Sequence, residues 1–220
     1  MGYRMFGELI EDVQHAKGGV ESEIEPEDAP FEVLSKLGEQ YHGFIDAVVK
    51  SNAGDNFDAA ARYINRASTV VCYGYLNSHI LAEYLGDSLV ELGVQAISVD
   101  DFVQAKRRIL MLDPTRDVVI VISKSGEKAE PVGIAEYAQS LHIPVISISD
   151  AAGTWLSKKS DIHLKILEDD NRSTPAPAMG TFAGVLFALD ALTMCIFQLD
   201  RKRYQKSYGE SLVAAFSARR

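Results

Sequence analysis

Eleven residues, Val118-Val119-Ile120-Val121-Ile122-Ser123-Lys124-Ser125-Gly126-Glu127-Lys128, carry the clearest chemical signal in the chain. A five-residue apolar run stops abruptly at Ser-x-Ser-Gly, and helix-forming sequence follows. A buried parallel strand delivers a hydroxyl-rich turn to a helix start in this way. The turn offers two hydroxyls, Ser123 and Ser125, together with unpaired backbone N–H groups, to a single anion. Gly126 allows the backbone to approach that anion closely. A phosphate suits this donor set, although Ser and Gly also dominate loops that bind nothing.

The elements around the turn alternate. Thr69–Tyr73, Gln95–Val99, Asp117–Ile122, Pro144–Ile148 and Asp161–Ile166 read as five short buried strands. Helical patterns separate them at Ser78–Leu92 (closed by Gly93), Phe102–Leu112 and Ala129–Leu141, with Trp155 in a short helix. Before the first strand, Phe31, Leu34, Leu37, Tyr41, Phe44, Ile45 and Val48 recur at three- and four-residue steps and predict an amphipathic helix. A second helix is expected from Phe57 to Arg66 after the Gly54-Asp55-Asn56 break. A long apolar helix at 181–198 and a last one at 201–217 close the chain. Residues 1–30, acidic and Pro-flanked towards their end, read as an arm or linker, leaving 31–220 as the domain.

Strands alternating with helices predict an α/β fold: a three-layer, doubly wound, five-stranded parallel sheet with N- and C-terminal helices. In the flavodoxin-like order 2-1-3-4-5 the switch point lies between strands one and three. The loops there, 74–78 and 123–128, both contain Ser, Gly or Asn and lead into helices. Their convergence on one crevice strengthens the phosphate reading.

Composition narrows the remaining possibilities. The chain has 220 residues, 47% of them hydrophobic and 24% charged, within the range of an ordinary globular domain. Its net charge of −9 argues against a general nucleic-acid surface. The basic cluster Arg201, Lys202, Arg203, Lys206, Arg219 and Arg220 reads as a solvated helix face. Cys72 and Cys195 lie far apart in apolar segments and read as core residues. The five histidines show no metal-ligand spacing, so no metal or other cofactor is expected. No apolar run reaches the ~18 residues of a membrane span, and Met1–Phe6 lacks a signal-peptide pattern. A reducing, cytoplasmic setting is the default.

These motifs resemble the SIS (sugar isomerase) domain over about residues 31–200. The likeness is carried by Gly74-x-x-x-Ser78 after the first strand, Ser123-Lys124-Ser125-Gly126-Glu127 after the third, Ala135-Glu136-Tyr137-Ala138, and Ile143-Pro144-Val145-Ile146-Ser147-Ile148-Ser149. The helical lead-in at 31–66 is similar to the sugar-sensing half of RpiR-type bacterial regulators. Residues 1–30 are too short and acidic for the helix-turn-helix domain of such regulators, so direct DNA binding is not expected. The resemblance implies a phosphorylated sugar as ligand, either isomerised or sensed. It implies phosphate contacts from Ser78, Ser123, Ser125 and Gly126; Lys128 is a further candidate for the phosphate, and Gly74, Asn77 and Arg172 are candidates for other ligand contacts. Two departures stand out. Leu76 replaces the second glycine of the family's Gly-x-Gly-x-Ser, and Lys128 replaces the Thr of its Ser-x-Ser-Gly-x-Thr. Lys128 could place a positive charge on the phosphate or point to solvent.

Aldose–ketose isomerisation passes a proton between adjacent carbons through an enediol and needs a general base. The family is expected to place a glutamate before the long C-terminal helix. In this chain that stretch offers Glu168 and Asp170, with His79 beside Ser78 as a weaker candidate. An isomerase and a non-catalytic sensor acting through a partner both fit. The aromatic stripe of the first helix and the all-round apolar helix at 181–199 predict a homodimer or homotetramer.

Overall fold

A computed structural model describes residues 24–52, 55–150, 152–166 and 178–217. Two helices, α1 (Pro30–Ser51) and α2 (Asn56–Arg66), lead into a sheet built from β1 (Thr69–Gly74), β2 (Ala96–Val99), β3 (Asp117–Ile122), β4 (Val145–Ser149) and β5 (Ile162–Lys165). Helices α3 (Asn77–Glu91), α4 (Phe102–Ile109) and α5 (Ala129–Ser140) fill the crossovers, and α6 (Ala178–Leu199) and α7 (Arg201–Ser217) follow the sheet. All strand pairs are parallel, and the order is β2-β1-β3-β4-β5. The expected fold class and order are therefore observed.

Period-two geometry sorts the apolar strand residues into two cores. Val70, Cys72, Val118, Ile120, Ile122, Ile146 and Ile148 face one side, under α2, α3 and α6. Val71, Tyr73, Val119, Val121 and Val145 face the other, under α4 and α5. Because both faces are covered, the central strands β1 and β3 carry unbroken apolar runs in sequence, whereas the edge strand β5 alternates along Ile162-His163-Leu164-Lys165.

Several local expectations change in detail. Helix α4 stops at Ile109, three residues early, and its Asp101 cap accepts from the Gln104 N–H at 2.7 Å. Trp155 lies in a turn, and the short 3₁₀ helix begins after it, at Ser157–Lys159. The part of the N-terminal arm that is described, 24–29, folds back onto α1: Asp28 accepts from Lys36 at 2.8 Å and from the Glu25 backbone N–H at 2.7 Å. Contrary to the expectation that no apolar run reaches membrane-span length, the segment Phe182–Leu199 of α6 has the length and mean hydropathy (1.9) of a span, with Asp190 in its middle. Its Val185, Ala188, Leu189, Leu192 and Ile196 are buried in the first core, and Asp190 accepts from the Tyr84 hydroxyl of α3. Cys72 is fully buried in the same core, and burial pushes its thiol up to about 12, which makes it an inert core residue.

Candidate functional site

Beyond the C-terminal ends of β1, β3 and β4 lies a crevice of about 180 Å³, lined by Tyr75, Ser78, Ser123, Lys124, Ser125, Lys128, Pro131 and Asp150. At about 30 Å³ per liquid water, it holds roughly six waters' worth of space, enough for a tetrahedral anion. Each wall follows from the local sequence.

The β1 wall is a tight turn from Tyr75 to Ser78, closed by the Ser78 N–H donating to the Tyr75 carbonyl at 3.2 Å. Strand and helix meet so closely that a Cβ on Gly74 would sit 2.2 Å from the Ser78 carbonyl oxygen. Only glycine fits there. At Leu76, φ is +54° and ψ −125°, the first central position of a type II′ turn, where glycine is the usual residue. The leucine side chain is 62% exposed. Leu76 occupies the cap position of α3 without a side-chain bond, and Asn77 is the first helical residue.

The β3 wall is the Ser123–Gly126 turn, in which the Gly126 N–H donates to the Ser123 carbonyl at 3.2 Å. Ser123 is nearly fully buried at the strand end. Ser125 Oγ accepts from the Glu127 N–H at 3.3 Å, a long bond that a ligand could replace. Gly126 has φ +65°, and a Cβ there would lie 2.6 Å from Thr154 Oγ1. The Thr154 loop presses on the turn from outside, and the Leu156 N–H donates to the Gly126 carbonyl at 2.9 Å. The turn is thus fixed before any ligand arrives. Lys128 caps α5 with extended backbone and places its Nζ 5.7 Å from the Tyr75 ring centroid, so its charge leans over the crevice rather than away from it.

The β4 wall is Asp150, whose N–H donates to the Lys124 carbonyl at 2.8 Å. Asp150 Oδ1 and the neighbouring Ser149 Oγ are both shut off from solvent without a hydrogen-bond partner. Burial pushes the Asp150 carboxyl up to about 6, while the nearby Lys124 ammonium pulls it down.

The structure therefore brings together Ser78, Ser123, Ser125 and Lys128, with Gly74 and Gly126 shaping the two turns. His79 follows Ser78 on α3 but is not among the lining residues, and its Nδ1 is buried without a partner. Asn77 is exposed on the first turn of α3. Glu168, Asp170 and Arg172 lie outside the described residues. Reading the sequence overlooked Tyr75, Lys124, Pro131 and Asp150. The signal for Asp150 was available: it is the first residue after β4, at the ligand-binding edge of the sheet. No group of three or more metal-ligating side chains occurs among the described residues.

A doubly wound parallel sheet with two serine turns meeting at its switch point defines a class of anion-binding α/β domains. Residues 63–195 match the SIS domain model, and the chain belongs to that family. Arabinose 5-phosphate isomerase KdsD of Salmonella typhi is 26% identical over 142 residues, 64% of this chain and 43% of that protein. The Escherichia coli K12 protein of the same name is 25% identical over 151 residues. This chain spans under half the length of those relatives. Among solved structures, the Vibrio vulnificus NanR protein complexed with ManNAc-6P superposes with a TM-score of 0.78 at 18% identity, covering 96% of this chain and 74% of that one. The sugar isomerase domain of an RpiR transcription factor from Sphaerobacter thermophilus gives 0.68 at 19% identity, covering 83% and 97%. The Escherichia coli CFT073 protein c3406, solved in complex with a phosphosugar, gives 0.67 at 23% identity, covering 82% and 96%.

Proposed function

We propose that the crevice binds a phosphorylated sugar and that the protein is an aldose–ketose phosphosugar isomerase of the SIS type. The observation that carries this reading is the meeting of the β1 and β3 serine turns in one pre-formed crevice. Ser78, Ser123 and Ser125 donate to the phosphate together with neighbouring backbone N–H groups, and Lys128 supplies positive charge. The relatives named for arabinose 5-phosphate, and the two neighbours solved with phosphosugars, support the same ligand class. In this reading the base for the enediol step is Glu168 or Asp170, with His79 assisting, and Arg172 clamps the ligand. No cofactor enters such a proton transfer.

A second reading, a non-catalytic sensor acting through a partner, is favoured by Leu76, which stands at a turn position where glycine is the usual residue. The experiment that separates them is solvent exchange. An isomerase exchanges the C2 proton of a bound sugar phosphate in deuterated water, and a sensor does not. Melting shifts across a panel of sugar phosphates identify which to use, because a ligand of the folded state raises its stability by mass action. Absence of any shift, or an equal shift with unphosphorylated sugars, refutes the phosphosugar reading.

We further infer a homodimer or larger assembly in the cytoplasm, without direct DNA binding. Phe31 and Leu34 on α1, 79% and 68% exposed, and Met194 on α6, 54% exposed, are apolar surface that a second copy would cover.

A further inference from the structure

Asp150 does not suit an anion site at first sight. A carboxylate lines the same crevice as three serines and two lysines, where it would repel a phosphate. It is also held there: its N–H is bonded to the Lys124 carbonyl, which ties the end of β4 to the serine turn of β3. Its Oδ1 is buried with no partner, as is the adjacent Ser149 Oγ. A buried carboxyl oxygen without a donor is costly as an anion and tolerable as a neutral acid. A neutral acid also has one O–H to give.

From this placement we propose that Asp150 is a ligand-contacting residue that engages the bound tetrahedral dianion as the neutral acid, donating its O–H to an anion oxygen, so that binding takes up a proton from solvent. This rests on the proposed anion crevice and adds to it a contact made by a carboxylic acid. The groups facing Asp150 are consistent with it. Lys124, on the β3 turn, is the charge that favours the ionised form. Lys128, at the start of α5, and Tyr75, after β1, complete the titratable lining. An incoming dianion occupies both lysines and adds negative charge beside the carboxyl. Both effects drive Asp150 further towards the protonated state.

The carboxyl titrates near pH 6 in the free site, so the proton must be acquired on binding at neutral pH. Inorganic sulfate is the suitable probe, because it stays a dianion throughout this range whereas a phosphate monoester gains and loses its own proton near pH 6. Sulfate titrations of the full chain by calorimetry, in two buffers of different ionisation enthalpy, read both affinity and proton uptake. The wild-type dissociation constant is expected to rise about tenfold per pH unit between pH 6.5 and 8, with uptake approaching one proton per sulfate. Asp150→Asn keeps an N–H donor without a titratable proton. It should bind sulfate with pH-independent affinity and no uptake, and at pH 8 more tightly than the wild type. Parallel pH profiles for the two proteins, or no uptake by the wild type, overturn the proposal. So does weaker binding by Asp150→Asn at every pH. Failure of sulfate to bind either protein also overturns it, and sugar-phosphate melting shifts then show separately whether the phosphosugar reading survives.

Discussion

Replacing Leu76 by glycine and by alanine tests whether the β1 turn is strained. Where the backbone is unstrained, glycine is the less stable of the two, by about 0.5–1 kcal/mol, because it loses more freedom on folding. At Leu76 the order should invert. With φ +54° and ψ −125°, the backbone lies where a side chain costs about 1–3 kcal/mol. Alanine retains that cost and glycine removes it. Set against the entropic loss, Leu76→Gly should exceed Leu76→Ala by about 1 kcal/mol, within roughly 0–2. Both variants lose the same leucine side chain, which is 62% exposed, so its packing cancels from the comparison. For a chain of this size the expected difference in Tm is about 2–4 °C per kcal/mol. Thermal and urea unfolding, run in parallel, measure it. An alanine variant more stable than the glycine variant by the ordinary margin would refute the strained turn. Because the same turn positions Ser78, Leu76→Gly should also bind sugar phosphates at least as well as the parent.

Ser125→Ala should weaken sugar-phosphate binding by about 1–3 kcal/mol, the usual loss of a hydrogen bond to a charged group, and equal affinities by calorimetry would remove Ser125 from the site. Burial raises the folded pKa of Asp150 to about 6 from 3.8, so its contribution to stability is fully present below about pH 3.8 and is lost as pH rises through 6. Asp150→Asn should therefore raise the stability of the free protein by about 1–3 kcal/mol at pH 7.5, with little change near pH 4, and a pH-independent difference in urea unfolding would refute that. Tyr204, fully buried, donates to Asn65 Oδ1 at 2.6 Å and joins α7 to α2. Tyr204→Phe should cost about 1–3 kcal/mol by stranding the amide oxygen, read as a lowered Tm. Light scattering at micromolar concentration should give at least a dimer mass, and a monomer mass would leave the exposed Phe31 and Leu34 without the expected cover.

The layer order and the serine turns were legible in the chain alone. Five apolar runs too short for helices, interleaved with helix-period segments, admit little besides a doubly wound parallel sheet. Ser123-x-Ser125-Gly126 announced itself because a strand-end turn needs those residue types for local reasons that a short window contains. The exact stop of α4, the cap before α3 and the fold-back of the arm could not be read in that way, since each depends on one or two bonds such as Lys36 to Asp28. How the crevice is closed is a matter of long-range packing. Thr154 lies against Gly126, Lys128 beside Tyr75, and Asp150 is clamped to Lys124. No periodicity encodes such pairings between distant segments. The same holds for the acidity of Asp150. Its side chain is that of any aspartate, and burial at the end of β4, beside the serine turn of β3 to which its N–H is bonded, raises its carboxyl to about 6.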